Sequence, residues 1–273
     1  MPDLSIIIVS YNARAELERC LASLTTPPPA ISNEVVVVDN LSSDGSAEAA
    51  RHWPGVRVIE SGANRGFAAA SNIGIRASSS ELVLLLNSDT IAPRGAIDAL
   101  ARTIRSHADV AVLGPRLVDG EGHPEVSCGS MVSPLVEWRQ KRLVRGVERR
   151  NPAWLQRVER MTRQEQWPDW VSGACLLVRR RDAEAVGLLD ERYFMYLEDV
   201  DFCAAIRARG RRVLFTPTVE VVHLRGRSAA SAPAATMAAY RRSQLTFYQK
   251  HHPAVAPLLR LYLRMRGIPP TNS

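Results

Sequence analysis

The sequence predicts an α/β protein with a Rossmann-like, mostly parallel central sheet flanked by helices. In its first third, short β-branched apolar runs alternate with helical patterns, as strands joined by crossover helices do. Most of these runs are apolar on both faces, as central parallel strands must be. Each run also ends in polar residues, at the edge where such sheets bind ligands.

Taken in order, strands are expected at Leu4 to Val9, Glu34 to Asp39, Val56 to Glu60 and Leu82 to Leu86. Helices are expected between them at Ala15 to Ser23, Ser46 to Arg51 and Gly66 to Ala77. The strand ends carry Ser10, Tyr11 and Asn12, then Asp39 and Asn40, then Asn64, Arg65 and Gly66, then Asn87, Ser88 and Asp89. Four successive strands ending in polar groups could converge on one ligand.

After Pro93 the pattern predicts a helix over Ala96 to Ser106 and a strand from Val110 to Leu113. Residues 133–167 are basic, contain tryptophan and are interrupted by Pro134 and Pro152, which suggests an inserted, amphipathic loop-and-helix segment. WVSGACLLVRR, from Trp170, reads as a buried strand with a tight Ser172-Gly173 approach. A helix is expected from about Asp201 to Ala208, closed by Gly210. Short strands at Arg212 to Phe215 and Val219 to His223 follow, then a helix over Ala234 to His251 and an apolar, basic tail from Leu258 to Met265. The expected organisation is one domain over residues 1–235 and a helical extension over 236–273. Within the domain, the half 1–115 carries the polar strand ends and the half 116–235 the acidic segment.

Composition narrows the function. The 273 residues are 46% hydrophobic, which excludes disorder throughout, and carry a formal charge of +7. Arg and Lys are dense between Arg139 and Arg163 and after Arg207, which suggests an acidic partner: a phosphate-bearing substrate or an anionic membrane surface. No nucleic-acid recognition module accompanies them, so nucleic acid is not expected as a partner. The four cysteines form no CxxC pair and read as core residues of a cytoplasmic protein. No apolar run approaches the roughly 18 residues of a bilayer span, so any membrane association should be peripheral, on the inner face.

Glu198, Asp199 and Asp201 crowd beside aromatic residues in GLLDERYFMYLEDVDFCAAIRARG. Carboxylates so close repel one another, so a fold that keeps them together usually uses them, although Asp and Glu also simply favour a helix start. Asp39 could accept a hydrogen bond from the imide N–H of a pyrimidine base or cap the following turn. Arg65 could meet a diphosphate. Asp89 is placed to bind a hard divalent cation, with His223 as a second ligand that would favour Mn²⁺ over Mg²⁺.

SIIIVSYN, VVVVDNLSSDGS, NRGFAAASNIGI, LLLNSDT, WVSGACLLVRR, LDERYFMYLEDVDFCAAIRARG and HLRGRS together resemble glycosyltransferase family two, and within it the rhamnosyltransferase-like branch. The resemblance runs from about Leu4 to Lys250. It implies the A-type glycosyltransferase fold, a nucleotide-sugar donor (dTDP-rhamnose favoured), a divalent metal, inversion at the anomeric carbon and a saccharide or lipid-linked acceptor.

By that resemblance Ser10, Tyr11, Asn12, Asp39, Asn64, Arg65, Gly66, Asn72, Asn87 and Ser88 would bind the nucleotide, with Asp39 reading the base. Asp89 and His223 would hold the metal. Asn87 stands where many relatives have Asp, so it would meet ribose or water. Asp199 would be the general base in an environment shaped by Glu198 and Asp201, and Trp170 and Gly173 would line the acceptor side. A sugar-1-phosphate nucleotidyltransferase would carry a Gly- and Arg-rich loop after its first strand, where this chain has SYNARAE. Another donor such as a UDP-sugar, a catalytically inactive nucleotide-sugar-binding protein and a homodimer remain open.

Overall fold

The computed structural model describes residues 1–224 and 233–266. One sheet of eight strands runs in the order β3-β2-β1-β4-β9-β6-β10-β5. β1 (Leu4–Ser10), β2 (Asn33–Asp39), β3 (Val56–Glu60) and β4 (Leu82–Asn87) pair in parallel, so their polar carboxyl ends share one edge. β9 (Cys175–Arg179) enters antiparallel between β4 and β6 (Val110–Val118), and β10 (Arg212–His223) is parallel to β6. The two-residue β5 (Thr90–Ile91) pairs antiparallel with the end of β10.

The double-sided apolar pattern of the strands has a direct structural cause. Ile6 and Ile8 pack with Leu17 and Leu21 of α1 (Arg14–Thr25) and with Ile97 and Leu100 of α4 (Ala96–Ser106). On the opposite face, Ile7 joins Ala68 and Ile75 of α3 (Gly66–Arg76) and Phe202 and Ile206 of α8 (Glu198–Ala208). α2 (Ser46–Arg51) covers the β2–β3 connection.

Several expectations change in detail. WVSGACLLVRR is two strands: β8 (Trp170–Val171) pairs with β7 (Cys128–Gly129) in a separate ribbon, and the chain then turns into β9. The two strands expected after Arg212 are one, with an irregularity between Thr216 and Glu220 where Pro217 has no N–H to donate. α8 begins at Glu198, three residues earlier than expected, because Leu197 in the left-handed region starts it.

The insert forms two helices, α5 (Pro134–Glu148) and α6 (Pro152–Thr162). Its prolines are starts, not interruptions: each sits in a first turn, capped by Ser133 and Asn151. α7 (Arg180–Ala185) follows β9, while α9 (Pro233–His251) and α10 (Ala256–Met265) close the described chain. The expected boundaries at 115 and 235 fall inside β6 and α9.

Candidate active site

The polar edge of the sheet is built around Asp39 and Asn40, both buried at the end of β2. Asp39 Oδ2 accepts the Ser42 N–H at 3.0 Å, while its buried Oδ1 has no partner. A buried carboxylate oxygen without a donor is costly. The fold therefore leaves an acceptor where a ligand N–H could bind. Asn40 joins the neighbouring strand ends: its Oδ1 accepts the Arg65 N–H at 2.9 Å, and its Nδ2 donates to Asn64 Oδ1 at 3.0 Å. Ser10 Oγ is buried without a partner, Asn12 Oδ1 accepts the Ser43 N–H, and Tyr11 is exposed. Arg65 is exposed, with its Nε donating to the Ser61 carbonyl.

Gly66 begins α3 with φ +78°, and an added Cβ would lie 2.2 Å from the Phe194 carbonyl oxygen. Only glycine allows this approach, which lets the Phe67 N–H donate to that oxygen at 2.7 Å. Asn72 is not at the polar edge. It is fully buried, donates to the Leu189 carbonyl and Glu191, and accepts the Leu189 N–H. Both its N–H donors are engaged by the 187–191 turn, away from the polar strand ends.

Asn87, Ser88 and Asp89 are partly buried at the end of β4. Pairing of His223 with Thr90 across β10 and β5 brings the imidazole beside Asp89, with Nε2 3.3 Å from Oδ1. On its other side, Nδ1 lies 3.0 Å from Glu125 Oε2. Burial opposes the imidazolium, but the Asp89 and Glu125 carboxylates outweigh it and raise the His223 pKa to about 9.

Asp89 and His223 could hold a divalent cation, which would displace the imidazolium proton on binding. Glu125 orients the ring through Nδ1 and turns Nε2 toward Asp89, the second-layer arrangement common to metal-binding histidines. Among the described residues no group of three or more His, Cys, Asp or Glu could hold a metal by itself. A cation at Asp89 and His223 would therefore need oxygens from its substrate as well. Of the HLRGRS segment, only His223 and Leu224 are among the described residues.

The acidic segment arrives through a strained turn. Tyr196 and Leu197 have φ of 72° and 67°, a region that costs L-residues energy, and Glu198 and Asp199 follow at the start of α8. Asp199 Oδ2 accepts the Gly173 N–H at 2.8 Å, and Oδ1 accepts the Val200 N–H at 2.8 Å. Burial raises the Asp199 pKa above the ordinary carboxylate value, partly offset by these N–H groups. Glu198 is more strongly affected: burial, then the Asp199 charge, push it well above its usual value, and its Oε2 has no partner.

The turn at Gly173 connects the two halves of the site. Its N–H holds Asp199, while the next carbonyl, of Ala174, accepts the Asn87 N–H at 3.0 Å. Asp201 does not share this environment. Its carboxylate is turned to Lys250 (2.8 Å), His251 (2.6 Å) and the Tyr193 hydroxyl (3.3 Å), and so fastens α9 to α8. Trp170 is likewise structural: it is 5% exposed, and its indole N–H donates to the Ser130 carbonyl at 3.0 Å.

Sequence reasoning placed Asn40 at a strand end but gave it no role of its own. It missed Glu125, because that residue meets His223 only after a separation of 98 residues.

Residues 5–185 match the family described as glycosyl transferase family 2. The chain is 34% identical over 265 residues to the N-acetylglucosaminyl-diphospho-decaprenol L-rhamnosyltransferase of Mycobacterium tuberculosis, covering 91% of this chain and 85% of that protein. It is 29% identical to the low-salt glycan biosynthesis hexosyltransferase Agl10 of Haloferax volcanii, covering 82% of this chain and 67% of the relative. The mannosyltransferase PcManGT from Pyrobaculum calidifontis, solved with GDP-Man and Mn²⁺, superposes with a TM-score of 0.63 at 19% identity, over 94% of this chain and 68% of its own.

Proposed function

The chain belongs to glycosyl transferase family 2, and from that premise we propose that it moves L-rhamnose from dTDP-L-rhamnose to a lipid-linked saccharide. It is a glycosyltransferase of the A-type fold. The observation that carries the rhamnosyl reading is the 34% identity to a rhamnosyltransferase along 91% of the chain. The acceptor in that relative's name, a sugar on a diphosphate-linked polyprenol, is the pattern for the acceptor proposed here.

In this reading, Asp39 Oδ1 accepts the imide N–H of thymine, the donor that its burial otherwise lacks. Asp199, held by the Gly173 N–H, accepts the proton of the acceptor hydroxyl as its oxygen bonds to the anomeric carbon. The bond to the diphosphate oxygen breaks on the opposite face, so the configuration inverts. Burial brings the Asp199 pKa closer to the operating pH, which makes it a better base than an exposed carboxylate. A divalent cation bound by Asp89 and His223 would neutralise the leaving diphosphate.

The test is calorimetric titration of dTDP, UDP and GDP, with and without Mn²⁺, into wild type and Asp39→Asn, paired with transfer assays using the matching sugars. The expected result is Mn²⁺-dependent binding that prefers dTDP and weakens roughly tenfold or more in the variant, which presents an amide donor to the base N–H. Preference for UDP or GDP would replace rhamnose as the sugar. Binding without transfer to any acceptor would favour a nucleotide-sugar-binding protein.

A further inference from the structure

α10 has two apolar faces. Ala256 and Leu263 turn inward at 6% and 2% exposure, and Leu259 packs beside them against the cluster containing Val132, Phe247 and Tyr248. Leu258, Leu261, Tyr262 and Met265 recur at i, i+3, i+4 and i+7, which makes one stripe on a helix. They are 69%, 57%, 39% and 72% exposed. At 3.6 residues per turn, Arg264 borders this stripe on one side and Arg266 on the other, while Arg260 is turned away from it. The Arg266 guanidinium lies 5.6 Å from the Tyr262 ring centroid. No acidic residue occurs between Ala256 and Arg266.

α5 presents a second strip of the same character. Leu135 and Trp138 are exposed, Arg142 stacks 4.9 Å from the Trp138 ring, and Arg139 and Arg145 share that side of the helix. The two helices begin close together, because His252 Nε2 lies 2.7 Å from the Val132 carbonyl oxygen just ahead of α5.

We propose that the outer stripe of α10, together with the outward side of α5, docks this enzyme on an anionic lipid bilayer. Charge selects that occupant. Aliphatic and aromatic side chains can enter the acyl boundary while the bordering arginines reach lipid phosphates. A second copy is a poorer occupant, because a two-fold contact through either strip would set its arginines against their own copies.

The face is joined to the site through one helix. Between α10 and the catalytic turn stands α9, whose Ser243 hydroxyl donates to the Met195 carbonyl at 2.7 Å and whose Tyr240 meets Tyr196 edge-on. The docking face deepens the reading of a lipid-linked acceptor, on which its purpose rests, while its geometry stands independently.

The experiment is co-sedimentation of the full chain with vesicles of phosphatidylcholine alone or mixed with phosphatidylglycerol, at low and high salt. Wild type is compared with Leu258→Ser/Leu261→Ser/Met265→Ser and with Arg264→Gln/Arg266→Gln, and circular dichroism confirms that each variant is folded. Wild type is expected to bind the phosphatidylglycerol vesicles and to release as salt rises. The triple variant should lose binding about tenfold or more, and the arginine variant should lose the preference for phosphatidylglycerol.

No wild-type binding at low salt, or unchanged binding of the triple variant, would overturn the proposal. So would a wild-type dimer, seen by sedimentation equilibrium, that the triple variant converts to monomer. Rhamnosyl transfer to a short-chain, water-soluble acceptor is assayed in parallel. Vesicle binding without transfer counts against the proposed function alone, and transfer without vesicle binding counts against the docking face alone.

Discussion

Asp199→Asn tests the assignment of the general base. Both carboxylate oxygens accept backbone N–H groups, from Gly173 and Val200, each at 2.8 Å. An asparagine has one carbonyl oxygen, so its NH₂ must face one of these donors. Leaving the Gly173 N–H unsatisfied would cost about 1–3 kcal/mol of stability. Loss of a positioned base costs about 10²- to 10⁴-fold in rate, equivalent to roughly 3–5 kcal/mol of barrier. The variant should therefore bind the nucleotide diphosphate normally, melt somewhat earlier and turn over at least about a hundredfold more slowly.

Single-turnover transfer at saturating donor separates the chemical step from binding, and a pH series identifies the group. Wild-type turnover should rise with pH through an ionisation above the ordinary Asp value, because burial raises the Asp199 pKa and the base acts unprotonated. The variant should lose that limb. If Asp199→Asn keeps more than about a tenth of the wild-type rate with the acid limb intact, another group accepts the proton.

Glu198→Gln should melt at a higher temperature than wild type at about pH 8, by a margin that shrinks toward about pH 5. Burial and the Asp199 charge raise the folded pKa of Glu198, so its favourable protonated state is lost as pH rises through that value. Equal melting at both pH values would mean that Glu198 ionises without penalty. Gly66→Ala should lower turnover at least about tenfold, because a left-handed residue carrying a Cβ costs about 1–2 kcal/mol and that atom would displace Phe194, four residues before Glu198. A fully active variant would show that the 194–199 turn tolerates displacement. Glu137 is buried and accepts from Lys141, Tyr240, Gln244 and Tyr248. Glu137→Ala should cost about 3–5 kcal/mol in urea unfolding, and a loss below about 1 kcal/mol would show that the network is dispensable.

The polar edge of the sheet was legible because its information is local. Most of the parallel strands are apolar on both faces over their central residues, so Asp39 and Asn87 stand out at strand ends, and Asn64 just beyond one, without knowledge of any contact. Residues whose roles depend on distant partners were not legible in this way. Asn72 and Trp170 look like site residues in their motifs, yet each spends its polar atoms on backbone groups from other segments. Asp201 belongs to the same acidic run as Asp199. Two positions along a helix nevertheless place it on another side, where Lys250 and His251, about fifty residues later, claim it. Prolines in the insert read as interruptions because proline marks a helix start and a helix stop alike, and the caps that distinguish them are visible only as hydrogen bonds.

Two successive residues without glycine's freedom, Tyr196 and Leu197, occupy the left-handed region directly before Glu198 and Asp199. Such strain persists only where surrounding contacts determine the backbone. Those contacts come from three directions. Phe67 holds the Phe194 carbonyl, Ser243 holds the Met195 carbonyl, and Tyr240 packs against Tyr196. The Gly173 N–H then fixes the Asp199 carboxylate itself. A carboxylate held this way would need little rearrangement to act as the proposed base, which is how a preorganised site lowers a barrier. It also explains a role for the two segments least connected to the sheet. The insert holds α9 through Glu137, and α9 supports the strained turn through Ser243 and Tyr240. Changes in either segment should therefore reach the position of Asp199 without touching a substrate.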